Sequence, residues 1–291
     1  MTMKQGTITK IISNHYTIEN EQEIVVAIPR GKMRRQTAPV VGDCVEYEQV
    51  QDSYRIVKVR PRKNRLLRPV IANVDQALIV TSCKDPDFSI HLLNRLLILV
   101  SLSDVEPVIC LTKWDLASPA ERDQIEAQLD ALQACGYDVL KTYPGSDDTR
   151  LREALAGKES VLCGQSGAGK SSLLNRLDPG FQLQTQEISK ALGRGKHTTR
   201  FCQLHAVANG WVADTPGFSS LDFTLLDKTN LDRKIKAFAP YVGACRFSDC
   251  RHLNEPDCAL KQAVEEGKVP LALYEDYKAI VEATPRKETY K

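Results

Sequence analysis

Neither sign of charge dominates this 291-residue chain: 39 Lys and Arg stand against 37 Asp and Glu, a net charge of +2. No global field draws it to nucleic acid or to a membrane, so any such partner has to be met by a local patch. Long hydrophobic runs are missing too. The longest, Leu92 to Leu102, is broken by Asn94 and Arg95, which excludes a bilayer-spanning helix and a membrane partner. Lys4 and Gln5, ahead of a short polar-interrupted strand, stand where a signal peptide has its apolar core. Internal repeats and low-complexity stretches are absent. A chain that is 42% hydrophobic and 26% charged, and too long for one small module, is expected to fold as two or three domains.

Nine cysteines do not pair evenly, and they divide into two kinds. Cys44, Cys83, Cys110, Cys135, Cys163 and Cys202 lie singly in apolar or strand-like stretches, as buried free thiols do in a reducing cytoplasm. Cys245, Cys250 and Cys258 are clustered around His252.

Residues 1–68 read as short strands with turn punctuation. The stretches 6–11, 41–47 and 54–59 alternate, and 23–28 is rich in β-branched residues. Four or five strands without a helical period suggest a small closed barrel such as an OB-fold. Arg30, Lys32, Arg34 and Arg35 form one basic cluster, and Lys58, Arg60, Arg62, Lys63, Arg65 and Arg68 another. On a fold type that commonly holds single strands, these clusters point to RNA.

From 69 to 225 the pattern alternates strand and helix, the mark of a mostly parallel α/β sheet. Strands are expected at 74–80, 107–111 and 161–163, and helices at 91–101 and 119–135. A hairpin is expected to turn at Asn209-Gly210. A last helix falls at 271–283.

Gly164-Gln165-Ser166-Gly167-Ala168-Gly169-Lys170-Ser171-Ser172 contains G-x-x-x-x-G-K-[ST] without gaps, after an apolar strand and before an amphipathic helix. Glycines let backbone N–H groups form an anion nest at the helix N-terminus. Lys170 reaches the β- and γ-phosphates and Ser171 places its hydroxyl on Mg²⁺. Asp214-Thr215-Pro216-Gly217 ends a strand: the carboxylate orients the Mg²⁺ shell and the Gly217 N–H meets the γ-phosphate. Phe218 follows, where many GTPases carry a water-positioning glutamine, so another residue must do that work.

Thr112-Lys113-Trp114-Asp115 reads as the [NT]-K-x-D motif that recognises guanine. Asp115 accepts from N1–H and the N2 amino group, which adenine lacks, and the Lys113 stem covers the ring. Thr112 stands where asparagine is usual. Between phosphate loop and hairpin, Gly193 to Arg200 occupies the first-switch position. Thr199, or alternatively Thr198, coordinates Mg²⁺ there, and His197 is the candidate to polarise water. Arg194, Lys196 and Arg200 serve either phosphate charge or RNA contact.

Cys245-x4-Cys250-x-His252-x5-Cys258 supplies three thiolates and an imidazole within fourteen residues. Tetrahedral Zn²⁺ takes such a set, and four protein ligands leave no open catalytic position, so the site is structural.

The motif order is unusual. The base motif precedes the phosphate loop and D-x-x-G comes last, as in a circularly permuted GTPase. With this order, the β-rich start and the Cys/His tail, the chain resembles the ribosome small-subunit-dependent GTPases of the RsgA (YjeQ) family over essentially its full length. The resemblance implies an α/β fold: a circularly permuted P-loop GTPase domain (69–225) between an N-terminal OB-fold β-barrel (1–68) and a C-terminal α-helical zinc-binding domain (226–291). It implies a cytoplasmic monomer that binds GTP/GDP with Mg²⁺ and carries one Zn²⁺. It also implies rRNA binding, and hydrolysis stimulated by the small (30S) ribosomal subunit during its late maturation. His197 matches the family's switch histidine. The usual Ser-Ala base loop is not evident near Lys141-Thr142-Tyr143. Two other readings compete: an RNA-binding assembly factor in which nucleotide is structural, and a P-loop ATPase or kinase, against which Asp115 argues.

Overall fold

The computed structural model describes residues 3–31, 38–67, 69–178, 202–214 and 230–283. They group into two compact units, one drawn from Met1–Leu78 and Asp147–Ser220, the other from Ile79–Ser146 and Leu221–Lys291.

In the first unit, β1 (Lys4–Ile12), β2 (His15–Glu19), β3 (Ile24–Pro29), β4 (Cys44–Val50) and β5 (Ser53–Val59) form a barrel. β1 pairs with both β2 and β4, β2 with β3, and β3 runs parallel to β5, which returns to β4. Closure removes the open edges that an isolated sheet of this size would expose. Strand alternation sends Ile8, Ile18, Val25, Ala27, Val45, Tyr47 and Ile56 inward as one core. Tyr47 is buried, and its hydroxyl donates to Glu23 Oε1 (2.7 Å) and accepts from Asn20 Nδ2 (2.8 Å).

The basic stretch after the barrel is not a plain linker. β6 (Arg65–Leu67) and β7 (Val70–Ala72) make a short hairpin, and Val41 bridges to Ile71. Arg62 forks onto the fully buried Asp43 (Nε to Oδ1 2.6 Å, Nη2 to Oδ2 2.7 Å), which also accepts from the Val40 N–H (2.8 Å). Two parallel bonds to a carboxylate with no access to water hold the β3–β4 loop against the segment that follows β5.

The α/β part of the first unit contains α3 (Thr149–Leu155), β11 (Glu159–Cys163), α4 (Lys170–Leu177), β12 (Gln203–Val207) and β13 (Gly210–Asp214). β11 and β13 are parallel; β12 is antiparallel to β13 and meets β1 at Lys10↔Gln203. The β12–β13 hairpin corrects one expectation. Val207 pairs with Gly210, so the turn is Ala208-Asn209, both at positive φ (51° and 59°), and Gly210 already belongs to the strand.

In the second unit the strand order is β10 (Asp138–Thr142), β9 (Glu106–Thr112), β8 (Gln76–Ser82), and every residue of β8 is buried. α1 (Ile90–Leu102) starts at a Ser89 cap, and α2 (Pro119–Ala134) at a Ser118–Glu121 capping box with proline at its first turn. The C-terminal elements are α5 (Leu231–Lys234), α6 (Ala259–Glu265) and α7 (Leu271–Glu282). α7 packs on α1, where Asp276 accepts from Asn94 Nδ2 (3.1 Å) and lies 2.9 Å from His91 Nδ1. Among the described residues no helix is long and apolar enough to cross a membrane.

Candidate functional site

The 164–169 loop joins a buried strand to a helix. Four of the five β11 residues are buried, and the chain then turns through Gly164, Gly167 and Gly169 at φ 135°, 81° and 91° before α4 starts at Lys170. Only glycine takes these values without strain, and they bring the chain round to the N-terminus of the helix, where free N–H groups favour an anion. Lys170 Nζ folds over the loop and donates to the carbonyls of Gly164 (2.7 Å) and Gln165 (2.8 Å), while Ser171 and Ser172 are exposed. Leu173, Leu174 and Leu177 bury the other face of α4. Arg176 grips Asp148 (2.7 and 3.2 Å), and Arg152 Nη1 caps the Leu177 carbonyl (3.1 Å), so the helix is pinned at its far end.

β13 ends at Asp214, and its Glu159↔Trp211 to Val161↔Ala213 register with β11 is parallel. β11, ahead of the phosphate loop, and β13, ending at Asp214, therefore have their carboxyl ends on the same side of the sheet, where α/β sheets bind ligands.

In the second unit, β9 delivers the base motif. The Thr112 hydroxyl donates to the Thr81 carbonyl (3.3 Å), so this threonine ties β9 to β8. Lys113 turns at φ 56°, its ammonium bonds to the Asp85 carbonyl, and Trp114–Leu116 forms a single 3₁₀ turn. The Asp115 carboxylate is exposed. Arg122 lies 5.5 Å and Lys141 4.6 Å from the Trp114 ring centroid.

The sequence leaves the segment near Lys141-Thr142-Tyr143, beside this motif, unassigned. β10 runs parallel to β9 with Thr142 opposite Thr112, so residues 143–146 leave the sheet next to 112–115. Ser146 closes that loop: its hydroxyl accepts from the Tyr143 N–H (3.0 Å) and donates to the Tyr143 carbonyl (2.8 Å). No Ser-Ala pair marks it; the available signal was a Pro144-Gly145 turn directly after an apolar strand. A pocket of about 390 Å³ in the same unit, lined by Cys83, Ser89, His91, Glu121, Gln124 and Gln128 among others, includes none of the predicted nucleotide residues.

The Cys/His cluster converges as expected. The ligand atoms of Cys245, Cys250, His252 and Cys258 all lie within 4.8 Å of one another. Cys245 and Cys258 sulfurs are 3.8 Å apart, and His252 Nδ1 is 3.5, 3.6 and 3.3 Å from the sulfurs of Cys245, Cys250 and Cys258. Tetrahedral bonds of about 2.3 Å to sulfur and 2.1 Å to nitrogen give edges of roughly 3.8 and 3.5 Å, so the set fits one metal ion. His252 Nε2 faces Asp232 Oδ2 at 3.4 Å, the carboxylate partner that orients a ligating imidazole. Tyr274 and Tyr277 hydroxyls donate to the carbonyls of His252 (2.7 Å) and Arg251 (2.9 Å), and Glu255 accepts from the Arg251 and Leu253 N–H groups.

The remaining six cysteines form no disulfide. Cys83, Cys110 and Cys163 are buried; Cys44, Cys135 and Cys202 are half-buried, less enclosed than expected. Burial pushes Cys83 up to about 11 and Cys163 up to about 12, which keeps both as inert thiols. The second basic cluster is divided in its work. Arg62 and Lys63 are held by Asp43 and Asp75, whereas Lys58 and Arg65 are exposed and carry no ion pair among the described residues. Arg30 pairs with Glu48 (2.7 Å). Lys32, Arg34, Arg35, Arg68, Arg194, Lys196, His197, Thr198, Thr199, Arg200, Gly217 and Phe218 lie outside the described residues, as does the Asp214 side chain.

Comparison with known proteins matches two family domains in succession. The RsgA N-terminal domain matches residues 5–56 and the RsgA GTPase domain residues 59–224. A Listeria monocytogenes protein named small ribosomal subunit biogenesis GTPase RsgA 1 is 42% identical, over 99% of this chain and 100% of its own. The Bacillus anthracis protein of the name RsgA is 43% identical over 96% and 97%. Among solved structures, YloQ, described as a circularly permuted GTPase, is 36% identical with TM-score 0.83, covering 98% of this chain and 97% of that one. YjeQ from Thermotoga maritima is 34% identical with TM-score 0.84, covering 98% and 100%. With both domains matched in order and the likeness running end to end, the chain belongs to the RsgA GTPase family.

Proposed function

We propose that this protein hydrolyses GTP to GDP and phosphate in late maturation of the small (30S) ribosomal subunit, with rRNA as its docking surface and the subunit as its activator. One observation carries the reading: a glycine-built loop follows β11, whose carboxyl end lies on the same side of the sheet as that of β13, in a chain whose relatives are named for that activity. Gly164 to Ser172 hold the phosphates with Lys170, and Thr112 to Asp115 select guanine. Ser171, Thr199 and Asp214 hold Mg²⁺, which neutralises phosphate charge, and Gly217 meets the γ-phosphate. His197 orients the water that Phe218 cannot. Cys245, Cys250, His252 and Cys258 hold a structural Zn²⁺. The division 1–68, 69–225 and 226–291 is the functional one, and the protein works as a cytoplasmic monomer.

The test is turnover of GTP and of ATP, each with and without purified small subunits. GTP alone should turn over, faster with subunits present. Equal use of both nucleotides rejects guanine selection, and GTP turnover indifferent to subunits favours an assembly factor in which nucleotide is structural.

A further inference from the structure

The backbone that presents Asp115 has acceptors it cannot satisfy by itself. Trp114–Leu116 is a single 3₁₀ turn, and so short a helix leaves its carbonyls without internal donors. The Trp114 carbonyl receives only a long bond from the Ala117 N–H (3.4 Å) within the turn. Arg122, half-buried in the first turn of α2, supplies what is missing. Its Nε donates to the Trp114 carbonyl (3.1 Å) and its Nη2 to the Asp115 carbonyl (3.2 Å), while the guanidinium lies 5.5 Å from the Trp114 ring centroid. One planar group thus grips two successive peptides and lies beside the Trp114 ring.

The position is an unfavourable one for a cation. The first turn of a helix is the positive end of its dipole, and carboxylates are the favoured residues there. Glu121 fills that role, but it is committed to Lys84 (2.6 Å) and to the Ser118 N–H (2.8 Å). Arg122 stands beside it, against the dipole, and its two carbonyls and indole face are the offset. Lys141, paired with Glu126, reaches the same ring from β10. The base motif is therefore held from the helix that follows it and from the neighbouring strand.

We propose that Arg122 is a positioning residue for purine selection, fixing the Trp114–Asp115 peptides so that the Asp115 carboxylate meets the N1–H and N2 edge of guanine in one orientation. This rests on the guanine assignment of Asp115. Arg122 touches no nucleotide; it acts through the backbone. A lysine there keeps the charge over the indole but lacks the fork that grips both carbonyls.

The experiment titrates the full-length protein, Arg122→Ala and Arg122→Lys with GTP, ATP and inorganic tripolyphosphate, the last a probe of the phosphate loop alone. Without the two carbonyl bonds, Arg122→Ala should bind GTP about tenfold more weakly, with tripolyphosphate affinity unchanged. Arg122→Lys should recover part of the GTP preference. Unchanged GTP affinity in Arg122→Ala overturns the proposal, and so does an equal weakening for GTP and tripolyphosphate, which marks general damage. Failure of the underlying reading looks different: the unmodified protein then fails to distinguish GTP from ATP.

Discussion

Gly210 shows how one missing side chain sets a turn. A methyl group there would come 2.1 Å from the Leu155 carbonyl oxygen and 2.9 Å from that of Lys158, both backbone atoms that cannot rotate away. The Asn-Gly dipeptide looks like a hairpin turn, yet its glycine is needed for close approach and the turn moves back one residue. Gly210→Ala should lower stability by about 2–3 kcal/mol, measured as a shift of the urea midpoint at constant slope. Glu159 carries a different strain. Burial, and then the negative charge of Asp75, push its carboxyl up to about 8, and its Oε2 has no hydrogen-bond partner among the described residues. The unfolded chain releases this proton near 4.5 and the fold holds it to about 8, so stability is lost as pH rises through that window. Glu159→Gln should therefore stabilise by about 1 kcal/mol or more near pH 8.5 and have little effect near pH 4.5, read from unfolding curves at the two values.

At the scale of elements, α4 and the loop ahead of it work as one piece. The helix is pinned at its C-terminal end by Arg152 and along its side by the Arg176–Asp148 pair, so the N–H groups at its start are held by a fixed rod. Lys170→Ala should abolish tight binding of GTP and of tripolyphosphate while leaving the melting temperature of the nucleotide-free protein nearly unchanged; calorimetric titration checks the first and thermal unfolding the second. The metal loop behaves in the opposite way. Between Cys245 and Cys258 the chain has little apolar surface to bury, and its order depends on four convergent ligands with tyrosine and glutamate bonds around them. A strong chelator should strip the ion and destabilise the C-terminal elements, seen as faster amide exchange over 245–258, reversed by added Zn²⁺.

For the whole molecule, a net charge of +2 means that any hold on RNA comes from particular cations. The structure separates those that build from those free to bind. Arg62 is locked onto a buried carboxylate, so Arg62→Ala should cost about 3–5 kcal/mol of stability. Lys58→Ala and Arg65→Ala should leave stability intact, weaken small-subunit binding, and make its salt dependence shallower by about one unit of slope for each phosphate no longer neutralised. Binding measured across a salt series distinguishes the two classes.

Much of this was legible in the chain itself. Patterns that depend on residues close in sequence are written there: the glycines and lysine of the 164–171 loop, the Thr112–Asp115 motif, four residues able to ligate a metal within fourteen positions, and the alternation that closes a barrel core. Backbone geometry and ligand spacing over a few residues follow from local order, so 164–171 and 245–258 could be read without a fold. What needed the tertiary structure is whatever joins residues far apart. Arg62 looked like one more basic residue until Asp43 was found buried beneath it. Residues 143–146 carry no motif, and it is the β10–β9 register that sets them beside 112–115. Arg122 is an ordinary helix arginine until its fork meets the carbonyls of 114 and 115. Long-range packing decides which polar groups are desolvated and which face each other, and no local pattern encodes that.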